Sequence, residues 1–367
     1  MIDIIELIRI LKKNKINFYT GVPDSILKSL SNYLCSKKKD QHIIATNEGS
    51  AVSLAIGYHL STNKIPCVYM QNSGLGNSIN PIVSIAHRKV YSIPLLFLIG
   101  WRGSPNSKDE PQHMTKGNIT TNLLKLMNIK YIIIKKKDHI KKINKLVKYA
   151  KINNKPVAIL FTNNVIKKTI SKSKISNQNK ILRRKFIEEF LNLIPKKSKI
   201  ISTTGYTSRE LYQVRKSLQS YNSKDFYMVG GMGHAAVTAL GVSLKTKKQV
   251  YCLDGDGSLL MHMGSMRTIG KFSNKNLKHI LLNNNAHESV GVQETTANKI
   301  NFKSLSLGFG YKKYYNIDNQ KDLRKTLIKF LNCSGPAFLE VKIKAGTFKN
   351  LIRPKNFIQI KKEFCNS

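Results

Sequence analysis

Asp256 stands between Gly255 and Gly257, with Ser258 next in line, and Asn284 follows 28 residues later (284 minus 256). A carboxylate, an amide oxygen and a nearby backbone carbonyl, completed by phosphate oxygens, make the hard all-oxygen environment that Mg²⁺ prefers. The glycines let the backbone turn tightly, and Ser258 can cap a following helix whose free amides suit a phosphate. Gly-Asp-Gly alone is an ordinary surface turn. The pairing with Asn284 outweighs that reading, because each half follows a short apolar run, Val250 to Leu253 and Ile280 to Leu282. Such runs form buried parallel strands. Between them Leu259 to Ile269 has helical spacing closed by Gly270, so both polar loops are expected at one sheet edge of a strand–helix–strand unit.

A second set of candidates lies earlier. Glu48 begins a segment in which Ala51, Val52, Ala55, Ile56 and His59 share one helical face. Position alone favours an exposed first-turn partner for the helix dipole. Gly21-Val22-Pro23-Asp24-Ser25 is a loop in which Asp24 or Ser25 can cap the next helix. Gln71 to Asn77, containing Ser73, Gly74 and Gly76, is a glycine-rich loop after the strand Pro66 to Met70. Gly100-Trp101-Arg102-Gly103 ends the run Ile93 to Ile99 and leads into a polar loop with Lys108, Asp109, Glu110, Gln112 and His113. In a doubly wound sheet the loops leaving the carboxyl ends of strands line the ligand crevice.

Apolar strands alternating with helical segments recur in both halves, so the fold class is α/β with two doubly wound parallel-sheet domains. The expected boundaries are 1–165, a Lys/Asn/Ser-rich linker at 166–180, and 181–367. A rival motif lies in the second half: Gly231-Met232-Gly233-His234-Ala235-Ala236 fits a dinucleotide fingerprint, with Asp254 near the place of a ribose-binding acid. Alone it supports an NAD-dependent dehydrogenase. It leaves Asp256, Asn284 and the polar loops of the first half unexplained.

With 367 residues, 41% of them hydrophobic, the chain can bury cores for two domains. The net charge of +42 raises the alternative of a basic nucleic-acid-binding protein. The excess is mostly Lys, beside abundant Ile and Asn, and these share A/T-rich codons; the lysine runs are dispersed, with no basic helix interleaved with aromatics. Neither a nucleic acid nor a membrane is the expected partner. Met1 to Leu11 carries Asp3, Glu6 and Arg9, which fits neither a signal peptide nor a membrane span, so a cytoplasmic location is expected. Five cysteines without a Cys-x-x-Cys pair argue against a disulfide framework or structural zinc.

Gly255-Asp256-Gly257 with Asn283-Asn284 resembles the cofactor motif of the thiamine diphosphate-dependent decarboxylase family. The similarity runs from about Asp3 to Ile343, without the middle domain of larger members. It implies an N-terminal pyrimidine-binding and a C-terminal diphosphate-binding domain. It also implies that Glu48 hydrogen-bonds the aminopyrimidine ring, with Met232 under the bent cofactor. Asp256, Asn284 and the Ala286 carbonyl match the Mg²⁺ ligands, and Gly255, Gly257 and Ser258 the diphosphate cradle. Within the family, the loops at 21–25, 71–77 and 100–113 are similar to those of the phosphonopyruvate decarboxylases. Sulfopyruvate decarboxylases share Ser73 to Asn77, so the alternative substrate stays open. The resemblance implies a small 2-oxo acid substrate held by Ser73, Gly74, Gly76, Asn77 and Arg102, with Asp24 and His113 moving the proton. It implies a homodimer or larger homo-oligomer.

Overall fold

Six parallel strands form the first sheet: β1 (Tyr19–Gly21), β2 (His42–Ile44), β3 (Cys67–Gln71), β4 (Leu96–Gly100), β5 (Lys130–Ile134) and β6 (Val157–Phe161), in the order β2-β1-β3-β4-β6-β5. The second is built from β7 (Lys199–Ser202), β8 (Phe226–Tyr227), β9 (Val250–Gly255), β10 (Leu277–Asn283), β11 (Lys313–Ile317) and β12 (Ala337–Lys342), with β11 at one edge and the order β11-β12-β10-β9-β7-β8. The computed structural model describes residues 1–168, 181–218 and 225–367. The chain divides into two units, one of Met1–Lys174 with Val290–Gln293, the other of Ile175–Ser289 with Glu294–Ser367. Of the expected linker 166–180, residues 169–180 lie outside the described residues.

The strand sequences explain why helices cover both faces of each sheet. Side chains alternate across a strand. In β4, Leu96 and Leu98 enter one core while Phe97 and Ile99 enter another. In β9, Tyr251 and Leu253 point to one face and Val250 and Cys252 to the other. Fully apolar strands therefore serve two apolar layers, as parallel sheets require. Both sheets are α/β and doubly wound, with no domain between them in sequence beyond the expected pair. Among the described residues no helix is long and apolar enough to cross a membrane. All five cysteines are free.

Several local expectations change. The segment between β9 and β10 is two helices, Asp256–Met261 and Ser265–Phe272, and Gly270 lies inside the second rather than closing it. A Cβ at position 270 would lie 2.0 Å from the Phe309 carbonyl oxygen, so glycine is there for backbone packing. Ser258 sits within the first of these helices and does not cap it. The 71–77 stretch is helical from Asn72, as a 3₁₀ turn to Gly74 followed by the helix Leu75–Pro81. The polar stretch before His113 gives way to the helix Pro111–Leu126, with Pro in its first turn, where its missing N–H costs nothing. The structure adds the helices Lys142–Asn153, Phe302–Gly308 and Phe357–Cys365, and strand β11, to the elements expected from sequence.

Candidate functional site

In the first unit, β2, β1, β3 and β4 are consecutive in the sheet, and the segments leaving their carboxyl ends carry the candidate residues. Asn47 caps the helix Glu48–Thr62 by accepting from Ser50 N at 2.8 Å, which fixes Glu48 as its first residue. Glu48 is buried, only 5% exposed, contrary to the usual first-turn glutamate. Its Oε2 accepts from Asn77 Nδ2 at 2.8 Å. A Cβ at position 74 would stand 2.4 Å from Glu48 Oε1, and one at position 49 would stand 2.8 Å from the Asn77 carbonyl oxygen. Two glycines thus let two helix N-termini meet around one carboxylate.

Asp24 is 1% exposed and uses Oδ2 to accept from Ile26 N at 3.0 Å and Leu27 N at 2.9 Å. Its Oδ1 has no hydrogen-bond partner among the described residues. Burial pushes its carboxyl up to about 6, against the lowering pull of the Leu27 amide and Arg102. That value suits a group exchanging protons near neutrality.

Arg102 does not present an open fork. Its Nε donates to Asp109 Oδ2 at 2.6 Å, Nη2 donates to Asp109 Oδ1, and Nη1 donates to Ser25 Oγ at 3.0 Å. Burial alone would raise the Asp109 carboxyl, but Arg102 and the Glu110 and Gly103 amides bring it to about 2. Asn72 ties the two segments together, accepting from Arg102 N at 3.1 Å and donating to the Arg102 carbonyl at 3.0 Å. Ser73 accepts from Gln71 Nε2 at 2.7 Å, while a Cβ at Gly76 would meet nothing within 4 Å. His113 is half-buried in the first turn of its helix, whose carbonyl at 113 packs against Gly103.

Lys116, on the same helix, was not singled out from the sequence. It is half-buried; burial lowers its pKa, while the Glu48 carboxylate acts in the opposite direction. Its only sequence signal is a place one residue before Gly117, where a Cβ would lie 1.6 Å from the Gly103 carbonyl oxygen.

In the second unit, β9 and β10 pair with Asp254 opposite Leu281 and Gly255 opposite Leu282, so Asp256 and Asn284 leave the sheet side by side. Asp256 is 3% exposed and accepts from Thr295 Oγ1 at 2.5 Å. Burial pushes its carboxyl up to about 6, opposed by Thr295 and by the backbone amides of Asp256, Asn284 and Gly257. Asn284 Oδ1 accepts from Ala286 N at 3.0 Å, in a turn with Asn285 in the left-handed region at φ 56. The carboxylate, the Asn284 amide oxygen and the Ala286 carbonyl are all oxygen donors, the chemistry a hard divalent cation takes.

Ser258 Oγ accepts from Thr203 Oγ1 at 2.8 Å and from Gly233 N at 3.0 Å, joining the 231–233 turn to the Asp256 helix. Gly231 and Gly233 both have positive φ, 61 and 90, and Met232 between them is half-exposed and, among the described residues, joins no core cluster. A Cβ on Gly257 would lie 3.1 Å from His287 Cε1, whereas one on Gly255 has its nearest neighbour at 3.9 Å. Gly255 is therefore not demanded by protein packing, and it leaves space above the sheet edge.

The dinucleotide reading fails on topology. The strands flanking Gly231 to Ala236 would have to be neighbours, but β7 lies between β8 and β9. Asp254 is 1% exposed, with Oδ1 on the Gly255 amide at 2.9 Å and Oδ2 3.4 Å from His279 Nε2. Cys252, Asp254 and His279 have ligand atoms within 4.8 Å of one another, and His279 Nδ1 is engaged with Tyr311 Oη at 2.9 Å.

Residues 6–129 match the thiamine pyrophosphate enzyme N-terminal TPP binding domain, and residues 203–341 the thiamine pyrophosphate enzyme C-terminal TPP binding domain. A phosphonopyruvate decarboxylase of Streptomyces viridochromogenes is 32% identical over 354 residues, covering 91% of this chain and 87% of its own. One from Streptomyces hygroscopicus is 32% identical over 352 residues, covering 91% and 86%. A sulfopyruvate decarboxylase of Methanosarcina acetivorans is 26% identical over 364 residues, covering 93% and 91%.

Proposed function

We propose, on the premise that this chain belongs to the thiamine pyrophosphate enzymes and to the phosphonopyruvate decarboxylase family within them, that it converts phosphonopyruvate to phosphonoacetaldehyde and carbon dioxide. The enzyme is a carboxy-lyase using thiamine diphosphate. The observation that carries the substrate is the 32% identity to two phosphonopyruvate decarboxylases over 91% of the chain, against 26% to a sulfopyruvate decarboxylase. The product fits a step of phosphonate biosynthesis in the cytoplasm.

The oxygen chemistry of these groups supports Mg²⁺ as the second cofactor, which Asp256, Asn284 and the Ala286 carbonyl would hold. Gly255, Gly257 and Ser258 would cradle the diphosphate of the thiamine cofactor, and Met232 would support that cofactor from the 231–233 turn. In this reading 1–165 is the pyrimidine-binding domain and 181–367 the diphosphate-binding domain. When bound, the cofactor supplies a nucleophilic carbon and an electron sink for the electron pair left behind as carbon dioxide departs. Glu48 hydrogen-bonds the aminopyrimidine, and its burial beside Asn77 keeps the carboxylate at one position. Asp24, with an uncommitted buried oxygen and a carboxyl near 6, is the better-supported proton donor after carbon dioxide leaves. His113 assists at the helix start.

A phosphonate carries up to two negative charges near neutral pH, so its site needs donors and positive charge. Ser73, the amides at Gly74 and Gly76, Asn77 and Arg102 supply donors. Because Arg102 is already paired with Asp109, Lys116 is the natural source of additional positive charge. As in the family, the active unit is taken to be a homodimer or larger homo-oligomer. Carbon dioxide release from phosphonopyruvate, sulfopyruvate and pyruvate tests the reading. Phosphonopyruvate is expected to lead in kcat/KM by at least ~10-fold, about 1.4 kcal/mol. Equal turnover of the first two would move the assignment to the sulfonate enzyme or a generalist. Salt-sensitive DNA retention with no thiamine diphosphate bound would favour the nucleic-acid alternative.

A further inference from the structure

Asn284 holds both ends of its side-chain amide in defined contacts. Oδ1 accepts from Ala286 N at 3.0 Å, and Nδ2 donates to Glu288 Oε2, also at 3.0 Å. Glu288 is itself gripped from two sides, by Arg183 Nη2 on Oε2 and by Gly346 N on Oε1. Arg183, with a side chain 4% exposed, donates from Nη1 to Glu210 Oε1 at 2.8 Å, and Glu210 also accepts from Thr347 Oγ1 at 2.7 Å. One buried cation therefore serves two buried carboxylates, and the group keeps a net negative formal charge.

Such an arrangement is a poor way to gain stability, because desolvating charges offsets most of their attraction. Its position has a different use. An asparagine amide can present either its oxygen or its nitrogen in nearly the same space, and only its partners decide which. An ionised carboxylate only accepts. Glu288 beside Asn284 therefore fixes the nitrogen toward Arg183 and the oxygen toward the Ala286 side of the loop, where the cation donor set lies.

We propose that Glu288 is a positioning residue for the divalent cation, holding the Asn284 amide oxygen in its ligating orientation, and that Arg183 with Glu210 holds Glu288. The inference rests on the reading of Asn284 as a cation ligand. Loss of a partner that orients a metal ligand typically weakens metal affinity by about 10- to 100-fold.

The test is calorimetric titration of Mg²⁺ into the full-length protein with thiamine diphosphate saturating, so the readout is a binding constant. Asn284→Ala comes first. Wild-type Mg²⁺ affinity in that variant sinks the ligand reading, and the inference with it. If affinity falls there, Glu288→Ala is expected to weaken Mg²⁺ by about 10- to 100-fold. Asn284→Asp offers the cation a good carboxylate ligand yet faces Glu288 with a like charge, and at least about a tenfold loss is expected. Adding Glu288→Gln to it gives the aspartate an N–H donor, and most of the lost affinity should return. A merely structural Glu288 gives another pattern: Glu288→Ala lowers the melting temperature of the apoprotein, keeps wild-type Mg²⁺ affinity, and the double variant shows no rescue. That pattern overturns the inference. Should Glu288→Ala fail to fold, the isosteric pair Asn284→Asp and Asn284→Asp/Glu288→Gln decides alone.

Discussion

Asn77 donates from Nδ2 to Glu48 Oε2 across 2.8 Å, and Gly74, three residues earlier, leaves the space that the Glu48 carboxylate fills. Ser73 to Asn77, expected from sequence to meet the substrate, therefore also forms the wall behind the candidate cofactor-activating group. Gly74→Ala puts a Cβ 2.4 Å from Glu48 Oε1 and must displace the carboxyl group. Turnover is expected to fall about 100-fold, since misplacing a catalytic group by an ångström has that scale. Thiamine diphosphate affinity, read by calorimetry, should stay close to wild type. Gly57→Ala is the control, because its Cβ meets nothing within 4 Å. Equal activity of the two variants would refute the role of the wall.

Glu48→Gln keeps the shape but removes the charge. Cofactor binding is expected to persist while decarboxylation slows by about 100- to 10,000-fold, the usual range for losing a positioned acid–base group. The direct measurement is proton exchange at the reactive carbon of bound thiamine diphosphate. Wild-type exchange rates in the variant would remove Glu48 from the mechanism.

Arg102 and Asp109 behave as one group, since two guanidinium nitrogens and the Gly103 amide all converge on the carboxylate. In a double-mutant cycle on denaturant stability, Arg102→Ala and Asp109→Ala are expected to be non-additive, with a coupling of about 1–3 kcal/mol. Additive losses would show that the pair is not a unit. Arg102→Ala is also expected to narrow the preference for phosphonopyruvate over sulfopyruvate without altering cofactor affinity.

Asp24 gives a pH signature. Burial raises its carboxyl from the ordinary value of 3.8 to about 6, so the folded chain keeps a proton that the unfolded chain releases. Its stabilising contribution is full below pH 4 and is lost as pH rises through about 6. Relative to Asp24→Asn, which does not titrate, the wild-type apoprotein should lose up to about 3 kcal/mol of stability across that window. Denaturant melts at several pH values measure this. Parallel curves for the two proteins would mean that the carboxyl titrates normally.

The strands and the closeness of Asp256 to Asn284 were readable from sequence because both are local. Val250 to Leu253 and Ile280 to Leu282 are short apolar runs, and the polar residues that end them leave two paired strands side by side. Glu48 was ambiguous, since first-turn position predicts exposure, and its burial comes from the close approach of Gly49 and Gly74. The pairing of Arg102 with Asp109 and the bond from Asn284 to Glu288 were not legible, because side-chain pairing depends on loop conformation that spacing does not encode. The helix Lys142–Asn153 was obscured by its lysines, although Ile143, Leu146, Val147 and Ala150 form its buried face.

The unit of β9, two helices and β10 that carries Asp256, Asn284 and Ala286 also fixes when these residues come together as the chain is made. Asp256, Asn284 and Ala286 lie within 31 positions (256 to 286), on strands that pair directly, so joining them closes only a short loop. Strand β11 and its neighbour β12 come later, and β12 must cross back to reach β10. During synthesis these residues can therefore be brought together before the outer part of their sheet exists, as low contact order favours. Pulse-labelled hydrogen exchange during refolding should accordingly protect the β9 and β10 amides before those of β11, and the reverse order would contradict it.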